Sequence, residues 1–170
     1  RVAIEQGDNM AASAAYKKAA FYLRMNRIPK RLPAADLHAT EQAYAVLGKP
    51  LQRIAFKTGS KEFIGYFRAP ATRPGGDTKL PTLVILGGLD NLKTEMLRHS
   101  DHFASRGFAT IIVETPDTGE NQLGFHPDSH VMFDAIADYI KQRSDLDAGR
   151  VAVYGWSMGG YLATLGGLKN

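Results

Sequence analysis

The stretch of this chain best suited to chemistry is a Gly-x-Ser-x-Gly pattern at Gly155-Trp156-Ser157-Met158-Gly159. It follows an apolar run, Val151–Tyr154, that predicts a short buried strand, and it precedes residues that predict a helix. A serine on so sharp a strand-to-helix turn has an exposed hydroxyl, and glycines at 155 and 159 remove side chains that would collide across the turn. The helix beginning behind Ser157 directs unpaired N–H groups and its positive dipole end toward a developing oxyanion. The pattern therefore predicts a nucleophile elbow.

A second glycine-rich loop supplies the other half of the predicted chemistry. Gly87-Gly88-Leu89 follows the apolar run 82–86, in the place where serine hydrolases carry a backbone oxyanion donor. We predict that the N–H groups of Leu89 and Met158 form the oxyanion hole. A tight turn that needs glycine for its backbone angles explains the same residues, and both interpretations can hold together. Candidates for contact with a substrate are Asp90, His126 and Trp156.

A serine hydroxyl needs a base, which is usually a histidine oriented by a carboxylate. In hydrolases with this elbow the chain order is serine, then the acid, then the histidine. The thirteen residues after Ser157 contain no Asp, Glu or His. We therefore expect the acid and the histidine beyond residue 170, so that the chain is truncated after the elbow. An upstream base such as His126 is the alternative.

Other polar clusters are open to two interpretations. Histidines three or four residues apart can bind a metal, but on helices that cover a sheet they are usually surface residues. The pairs concerned, with their neighbouring acids, are His99 and His102 with Asp101, and His126 and His130 with Asp128. Asp117 and Glu120 resemble an acid–base pair, yet Thr115–Glu120 has the composition of a structural turn. We expect no metal and no cofactor.

The composition restricts the class of protein. Of the 170 residues, 44% are hydrophobic and 22% charged, as in ordinary globular domains. There are no cysteines, which excludes disulfides, thiolate metal sites and a cysteine nucleophile, and fits a cytoplasmic protein. No apolar run has the length of a membrane span, so we expect no membrane partner.

Charge is unevenly distributed. Residues 1–80 carry 14 Lys and Arg against 6 Asp and Glu, whereas residues 81–170 carry 7 against 11. A basic half can indicate an anionic partner or simply a solvated surface. The basic residues are scattered and form no nucleic-acid-binding motif, so no nucleic-acid partner is expected.

Hydrophobic periodicity divides the chain in two. Helices are predicted over 9–25 and 34–47, and a helical lead segment is assigned to residues 1–50. From residue 51 to 170 the pattern is a hairpin over 51–70, then strands at 82–86 and 109–113 and the elbow strand, separated by helices near 93–106 and 129–142. Right-handed crossovers place these three strands in one parallel sheet with helices on both faces.

The loop Leu86–Asp90, the turn Thr115–Glu120 and the elbow 155–160 resemble those of α/β-hydrolases related to the fermentation–respiration switch protein and 2,6-dihydroxypseudooxynicotine hydrolase. The resemblance implies an α/β-hydrolase fold with a mostly parallel sheet and a cap built partly from the N-terminal helices. It also implies metal-independent hydrolysis of an ester, or of a carbon–carbon bond next to a ketone. By position, Ser157 matches the nucleophile, and Leu89 and Met158 match the oxyanion donors.

These observations predict a serine hydrolase for a small ester or ketone substrate. A second copy of the same chain, in a homodimer, is the protein partner considered. In the cap, Tyr16, Leu23, Tyr44 and Leu47 are expected to pack as a helix pair over the site. The rival class is a non-catalytic protein-binding module on the same scaffold, because fold alone does not fix function. A dinucleotide-binding oxidoreductase is disfavoured, since no G-x-G-x-x-G follows any predicted strand.

Overall fold

Five strands form one sheet in the computed structural model, which describes residues 2–25, 34–71 and 79–169. The strand order is β1-β2-β4-β3-β5. Strand β3 lies parallel to both β4 and β5, while β2 runs antiparallel to β4. The parallel trio confirms the predicted α/β class. The strands are β1 (Gln52–Thr58), β2 (Lys61–Arg68), β3 (Leu80–Leu86), β4 (Ala109–Val113) and β5 (Leu146–Gly155).

The predicted hairpin is present at the start of the sheet. A turn at Gly59-Ser60 joins β1 to β2, and Gly59 has a positive φ of 59° that favours glycine. The hairpin joins the parallel part of the sheet through β2, which pairs with β4 so that Tyr66 lies opposite Ile112. The sheet is therefore mixed, with its parallel part carrying the elbow.

Helices cover both faces of the sheet, as predicted. Helix α4 (Leu97–Ala104) is preceded by a 3-10 turn, Lys93–Met96, where one continuous helix was predicted. It lies on the face that carries Thr110, whose hydroxyl is 2.7 Å from that of Ser100. The opposite face is covered by α5 (Met132–Gln142), which follows a 3-10 turn at Ser129–Val131, and by α6 (Met158–Lys169).

The main core lies between the sheet and α5. Alternate residues of β3 and β4 point into it, as the period of two in a strand requires. They pack against four buried side chains of α5. In the hairpin, Phe56 stacks on Phe63 with 5.0 Å between the ring centroids. The sheet residues are Val84, Leu86, Ile111 and Val113, and those of α5 are Met132, Phe133, Ile136 and Ile140.

The elbow strand is longer and more exposed than predicted. Val151–Tyr154 was expected to be buried, but β5 spans ten residues, Val151 is 41% exposed and Ala152 is also exposed. The reason is position: β5 is the last strand in the sheet order, and within the described residues no strand covers its outer edge.

The chain divides into two units, Arg1–Gln52 and Arg53–Asn170. In the first, α1 (Val2–Glu5) leads into α2 (Asn9–Met25), which packs on α3 (Ala34–Ala45). The Ser13 hydroxyl donates to the Ala43 carbonyl at 2.6 Å, so the helix pair approaches closely.

The prediction of which side chains form that helix contact was partly wrong. Tyr44 is buried, but Leu23 is exposed and Tyr16 and Leu47 are only half-buried. The buried residues of α2 are small ones instead, Ala12, Ser13 and Ala20. Among the helices of the described residues, none combines the length and hydrophobicity needed to cross a membrane.

Candidate active site

Ser157 occupies the junction between β5 and α6 with a left-handed backbone. Its φ is 52°, one of two positive values among the described non-glycine residues. Such a conformation costs of the order of 1–3 kcal/mol and persists only where the surroundings impose it. Here the Trp156 N–H donates to the Leu86 carbonyl at 3.1 Å, while the N–H groups of Gly160 and Tyr161 donate to the Ser157 carbonyl. The serine side chain is exposed at the end of the strand.

The two glycines of the pattern stand where no side chain fits. A Cβ at Gly155 would overlap the Gly159 carbonyl, because α6 turns back directly over the end of β5. A Cβ at Gly159 would overlap the Gly87 carbonyl and lie 2.9 Å from Cβ of Leu86. The close approach of α6 to the end of β5 thus depends on glycine at 155, and its approach to the end of β3 depends on glycine at 159.

The loop after β3 lies against Ser157. A Cβ built on Gly88 would be 3.3 Å from Cβ of Ser157, and the Gly88 N–H donates to Oδ1 of Asn91 at 3.0 Å. Leu89 follows Gly88, and Met158 follows Ser157. Within the described part of the chain, the backbone N–H groups of Leu89 and Met158 donate to no protein acceptor. Two unpaired donors are therefore carried by segments that meet at the serine.

A turn at residues 114–121, after β4, supports this loop from behind. The Thr118 hydroxyl donates to the Leu89 carbonyl at 3.1 Å. Thr115 lies 3.4 Å from the Gly88 carbonyl and 3.2 Å from the Thr118 oxygen. Both threonines are buried, at 0% and 1% exposed. The turn therefore contacts the backbone on both sides of the Leu89 N–H.

A buried ion cluster holds the turn. Nζ of Lys93 is 3.0 Å from Glu114 and 2.7 Å from Glu120, and both Lys93 and Glu114 are fully buried. Glu114 also accepts the backbone N–H groups of Lys93 and Glu120. Arg53 pairs with the outer oxygen of Glu120 at 2.6 Å, and Nζ of Lys93 stands 5.5 Å from the centre of the Tyr66 ring.

The two carboxyls of the cluster respond differently to their surroundings. Burial raises the pKa of Glu114 above its ordinary value, and Lys93 with the two backbone donors offsets only part of that rise. Partial burial also favours the neutral form of Glu120, but Arg53 and Lys93 outweigh it and hold its pKa below the ordinary value. Asp117, whose φ is 61°, stands in the same turn, so the turn interpretation of residues 115–120 fits this geometry better than an acid–base pair does.

Comparison with known proteins agrees with this architecture. The family model for FrsA-like esterases matches residues 3–168. The chain belongs to the FrsA-like esterase family. The hydrolase PyiE of Pyricularia grisea is 28% identical over 192 residues, covering 94% of this chain and 42% of its own. The esterase FrsA of Vibrio cholerae is 26% identical over 160 residues, covering 92% and 38%.

Solved structures confirm the α/β-hydrolase fold of this FrsA-like chain. The crystal structure of 2,6-dihydroxy-pseudo-oxynicotine hydrolase matches with a TM-score of 0.80 at 19% identity, covering 99% of this chain and 49% of that one. AbyA5 matches with a TM-score of 0.62 at 22% identity, covering 95% and 44%. The chain spans about two fifths of the length of the curated relatives it matches.

Within the described residues, neither His126 nor His99 of this FrsA-like chain makes a hydrogen bond to Ser157. His126 is 70% exposed in its side chain and contacts its own loop, with Nδ1 3.5 Å from Asp128. His99 lies beside Tyr154, 5.3 Å between ring centres, where burial first and then Arg98 and His102 lower its pKa. Within the described residues, no group of three or more acidic or histidine side chains is placed to hold a metal ion.

The other predicted substrate contacts, Asp90 and Trp156, are exposed at the same edge as Ser157, and the backbone of each belongs to one of the two site loops. Sequence reasoning missed Lys93, Glu114 and the two threonines. One signal was present: Glu114 directly follows the continuous apolar strand β4, where a charged residue at a parallel strand end needs a partner.

Proposed function

We propose that this FrsA-like protein is a serine hydrolase in which Ser157 attacks the carbonyl of a small ester, or of a ketone whose neighbouring carbon–carbon bond is then cleaved. The observation that carries the proposal is the left-handed backbone of Ser157 beside the Gly88–Leu89 loop. Strain of this kind at an exposed serine, with two unpaired N–H groups alongside, is the arrangement that acyl transfer requires.

The chemical steps follow from the groups that meet there. The Ser157 oxygen forms a bond to the carbonyl carbon while a base takes its proton. Negative charge moves to the carbonyl oxygen, where the N–H groups of Leu89 and Met158 stabilise it. Collapse of this intermediate expels the alkoxide or the carbanion, which takes the proton from the base, and water then releases the acyl group by the same steps.

The base and its orienting acid are assigned to residues outside this chain. Within the described residues, Ser157 has no histidine or carboxylate partner. The matches to PyiE and FrsA cover less than half of each of those proteins, so more than half of each has no counterpart in this chain. No metal or organic cofactor enters the proposed steps, and Asp90 and Trp156 are proposed to line the substrate path. The N-terminal helices of residues 1–50 are proposed to form the cap, and a cytoplasmic location is part of the same proposal.

The test uses the full-length protein and a fluorophosphonate probe, which phosphonylates an activated serine. We expect one equivalent of label, mapped by peptide mass to Ser157, and hydrolysis of p-nitrophenyl acetate. Ser157→Ala should lose the label and about 10⁶ in kcat, as loss of a triad serine does. Ser144→Ala, which changes another exposed serine of the same unit, is the matched control and should behave as the parent.

An alanine variant at 157 that kept activity within tenfold of the parent would show that the nucleophile is elsewhere. Ester and carbon–carbon cleavage are separated by comparing the p-nitrophenyl ester with a 1,3-diketone. Cleavage of the diketone gives a carboxylic acid and a ketone, which are resolved by mass spectrometry.

A further inference from the structure

The Leu89 N–H shares one peptide bond with the Gly88 carbonyl. In a trans peptide the C=O and N–H point in opposite directions, so a contact that fixes one fixes the direction of the other. The Gly88 carbonyl faces the Thr115 hydroxyl at 3.4 Å, and the next carbonyl, that of Leu89, accepts from Thr118 at 3.1 Å. The two hydroxyls thus restrain the peptide planes on either side of Leu89.

Counting protons shows which contact is the firmer one. A threonine hydroxyl has a single proton. Thr118 uses its proton on the Leu89 carbonyl, and its oxygen is within reach of Thr115 at 3.2 Å. Thr115 must then divide one proton between the Gly88 carbonyl and Thr118. The Thr118 contact is therefore the firmer one: it fixes Leu89 through the peptide that follows it, while Thr115 contacts the peptide that carries the Leu89 N–H.

Neither threonine has freedom to turn away. Both are buried, and they lie in a turn whose two ends are tied to Glu114: its carboxylate accepts the Glu120 N–H, and its backbone carbonyl accepts Nδ2 of Asn121 at 2.8 Å. Gly119, with a φ of 56°, lets the chain pass so close to Glu114 that a Cβ there would overlap the carboxylate. A rigid support behind a loop is how a donor is held ready before the reaction.

We propose that Thr118, supported by Thr115, is a positioning residue that aims the Leu89 N–H at the oxyanion formed on the Ser157 adduct. This inference rests on the proposed function. Thr118 touches neither substrate nor the reacting atoms; it acts through the Leu89 backbone. Its loss should impair stabilisation of the tetrahedral intermediate more than binding of the ground-state substrate.

The experiment compares Thr118→Val, Thr118→Ser and Thr110→Val in the full-length protein. Removal of a whole oxyanion donor costs about 10²–10³ in kcat, so a misdirected donor is expected to cost at least fivefold. We expect this loss in kcat for Thr118→Val with KM within twofold. The inhibition constant of a trifluoromethyl ketone, which forms a hemiketal oxyanion with the serine, should rise by the same factor. Thr118→Ser keeps the hydroxyl and should restore kcat to within threefold of the parent.

Thr110→Val is the matched control. It too removes the hydroxyl of a buried, hydrogen-bonded threonine, but the partner is Ser100 on α4, away from the loop. Its kcat and inhibition constant should stay within twofold. The stoichiometry of fluorophosphonate labelling reports the folded fraction of each variant. If Thr118→Val does not fold, Thr118→Ala replaces it, and the same criteria apply.

A kcat loss below fivefold in the Thr118 variant, an unchanged inhibition constant, or an equal loss in Thr110→Val would overturn the inference while leaving the proposed function intact. A parent protein that neither labels at Ser157 nor hydrolyses esters would overturn the proposed function, and this inference with it.

Discussion

Replacing Lys93 by methionine tests whether the buried ion cluster is a necessary part of the fold. Lys93 and Glu114 are both fully buried, and within the described residues no other cation contacts Glu114. Glu120 keeps Arg53 at 2.6 Å, so the carboxyl of Glu114 bears the loss. Breaking one partner from a buried pair typically costs about 3–5 kcal/mol.

The magnitude is limited by the ability of Glu114 to take up a proton. Neutralising a carboxyl with an ordinary pKa of about 4.3 at pH 7 costs about 3.7 kcal/mol, at roughly 1.4 kcal/mol per pH unit. Burial already raises the pKa of Glu114 in the parent, so part of that cost is present before the change. We therefore expect Lys93→Met to lower the free energy of unfolding by about 3 kcal/mol at pH 7.

The pH dependence is the sharper expectation. In the variant the folded-state pKa of Glu114 is raised further above its unfolded value. The stability of the variant is then best below the unfolded pKa and falls as the pH rises toward the folded one. The deficit relative to the parent should shrink by about 2 kcal/mol between pH 7 and pH 5, because neutralisation becomes easier. Urea denaturation at both pH values, followed by circular dichroism, measures this.

Two further variants make the result decisive. Lys93→Met combined with Glu114→Gln should recover part of the loss, because the buried charge is gone, although the single amide oxygen can replace only one of the two carboxylate oxygens that accept backbone N–H groups. Lys141→Met removes a lysine from an exposed pair with Asp138 and should cost less than about 0.5 kcal/mol. A Lys93→Met deficit below about 1 kcal/mol at pH 7, or one that is the same at pH 5, would refute the reasoning.

Three other outcomes are expected. Gly159→Val should destabilise the protein by about 3 kcal/mol or more and abolish probe labelling, because the valine side chain would overlap the backbone at the end of β3. Gly167→Val, on the same helix but with open space around it, is the control, and thermal melts compare the two variants. Thr82→Val should raise stability by about 1 kcal/mol in urea denaturation, because Oγ1 of Thr82 is buried without a partner in the described residues, and a loss would contradict this. Glu120→Gln should lower stability at pH 7. The difference from the parent should shrink as the pH falls from the ordinary glutamate pKa through the lowered pKa of Glu120, because the stability that this depressed pKa contributes is lost over that range. Acid titrations of the two proteins that run parallel would exclude this.

The elements with strong local signals were predictable from the sequence. The apolar run of β3, the glycines of the elbow and the alternation of the hairpin each carry their own period or turn chemistry. The α2 contact was not predictable in the same way, because periodicity identifies an apolar face but not the partner that packs on it. Leu23 lay on the expected face, yet α3 approaches at Ser13, where only small residues allow the distance.

The ion cluster escaped prediction for a different reason. A lysine near the start of a predicted helix is normally a solvated residue. The burial of Lys93 depends on Glu114, which is 21 positions away in sequence, and on Glu120 beyond it. The threonines that support the loop are equally non-local, since the strand order brings the end of β4 beside the end of β3.

The same strand order governs when the sheet can form. Leu86 pairs with Gly155, so β3 and β5 join segments roughly 70 residues apart, and closing such a loop costs about 4 kcal/mol of chain entropy. The ribosome adds about 5–20 residues per second, so the β5 side of β3 stays unpaired for roughly 3 to 14 seconds during synthesis. An apolar strand with an open edge is prone to intermolecular pairing. Codon changes that slow translation between residues 87 and 155 should therefore increase aggregation during expression, even though they leave the amino-acid sequence unchanged.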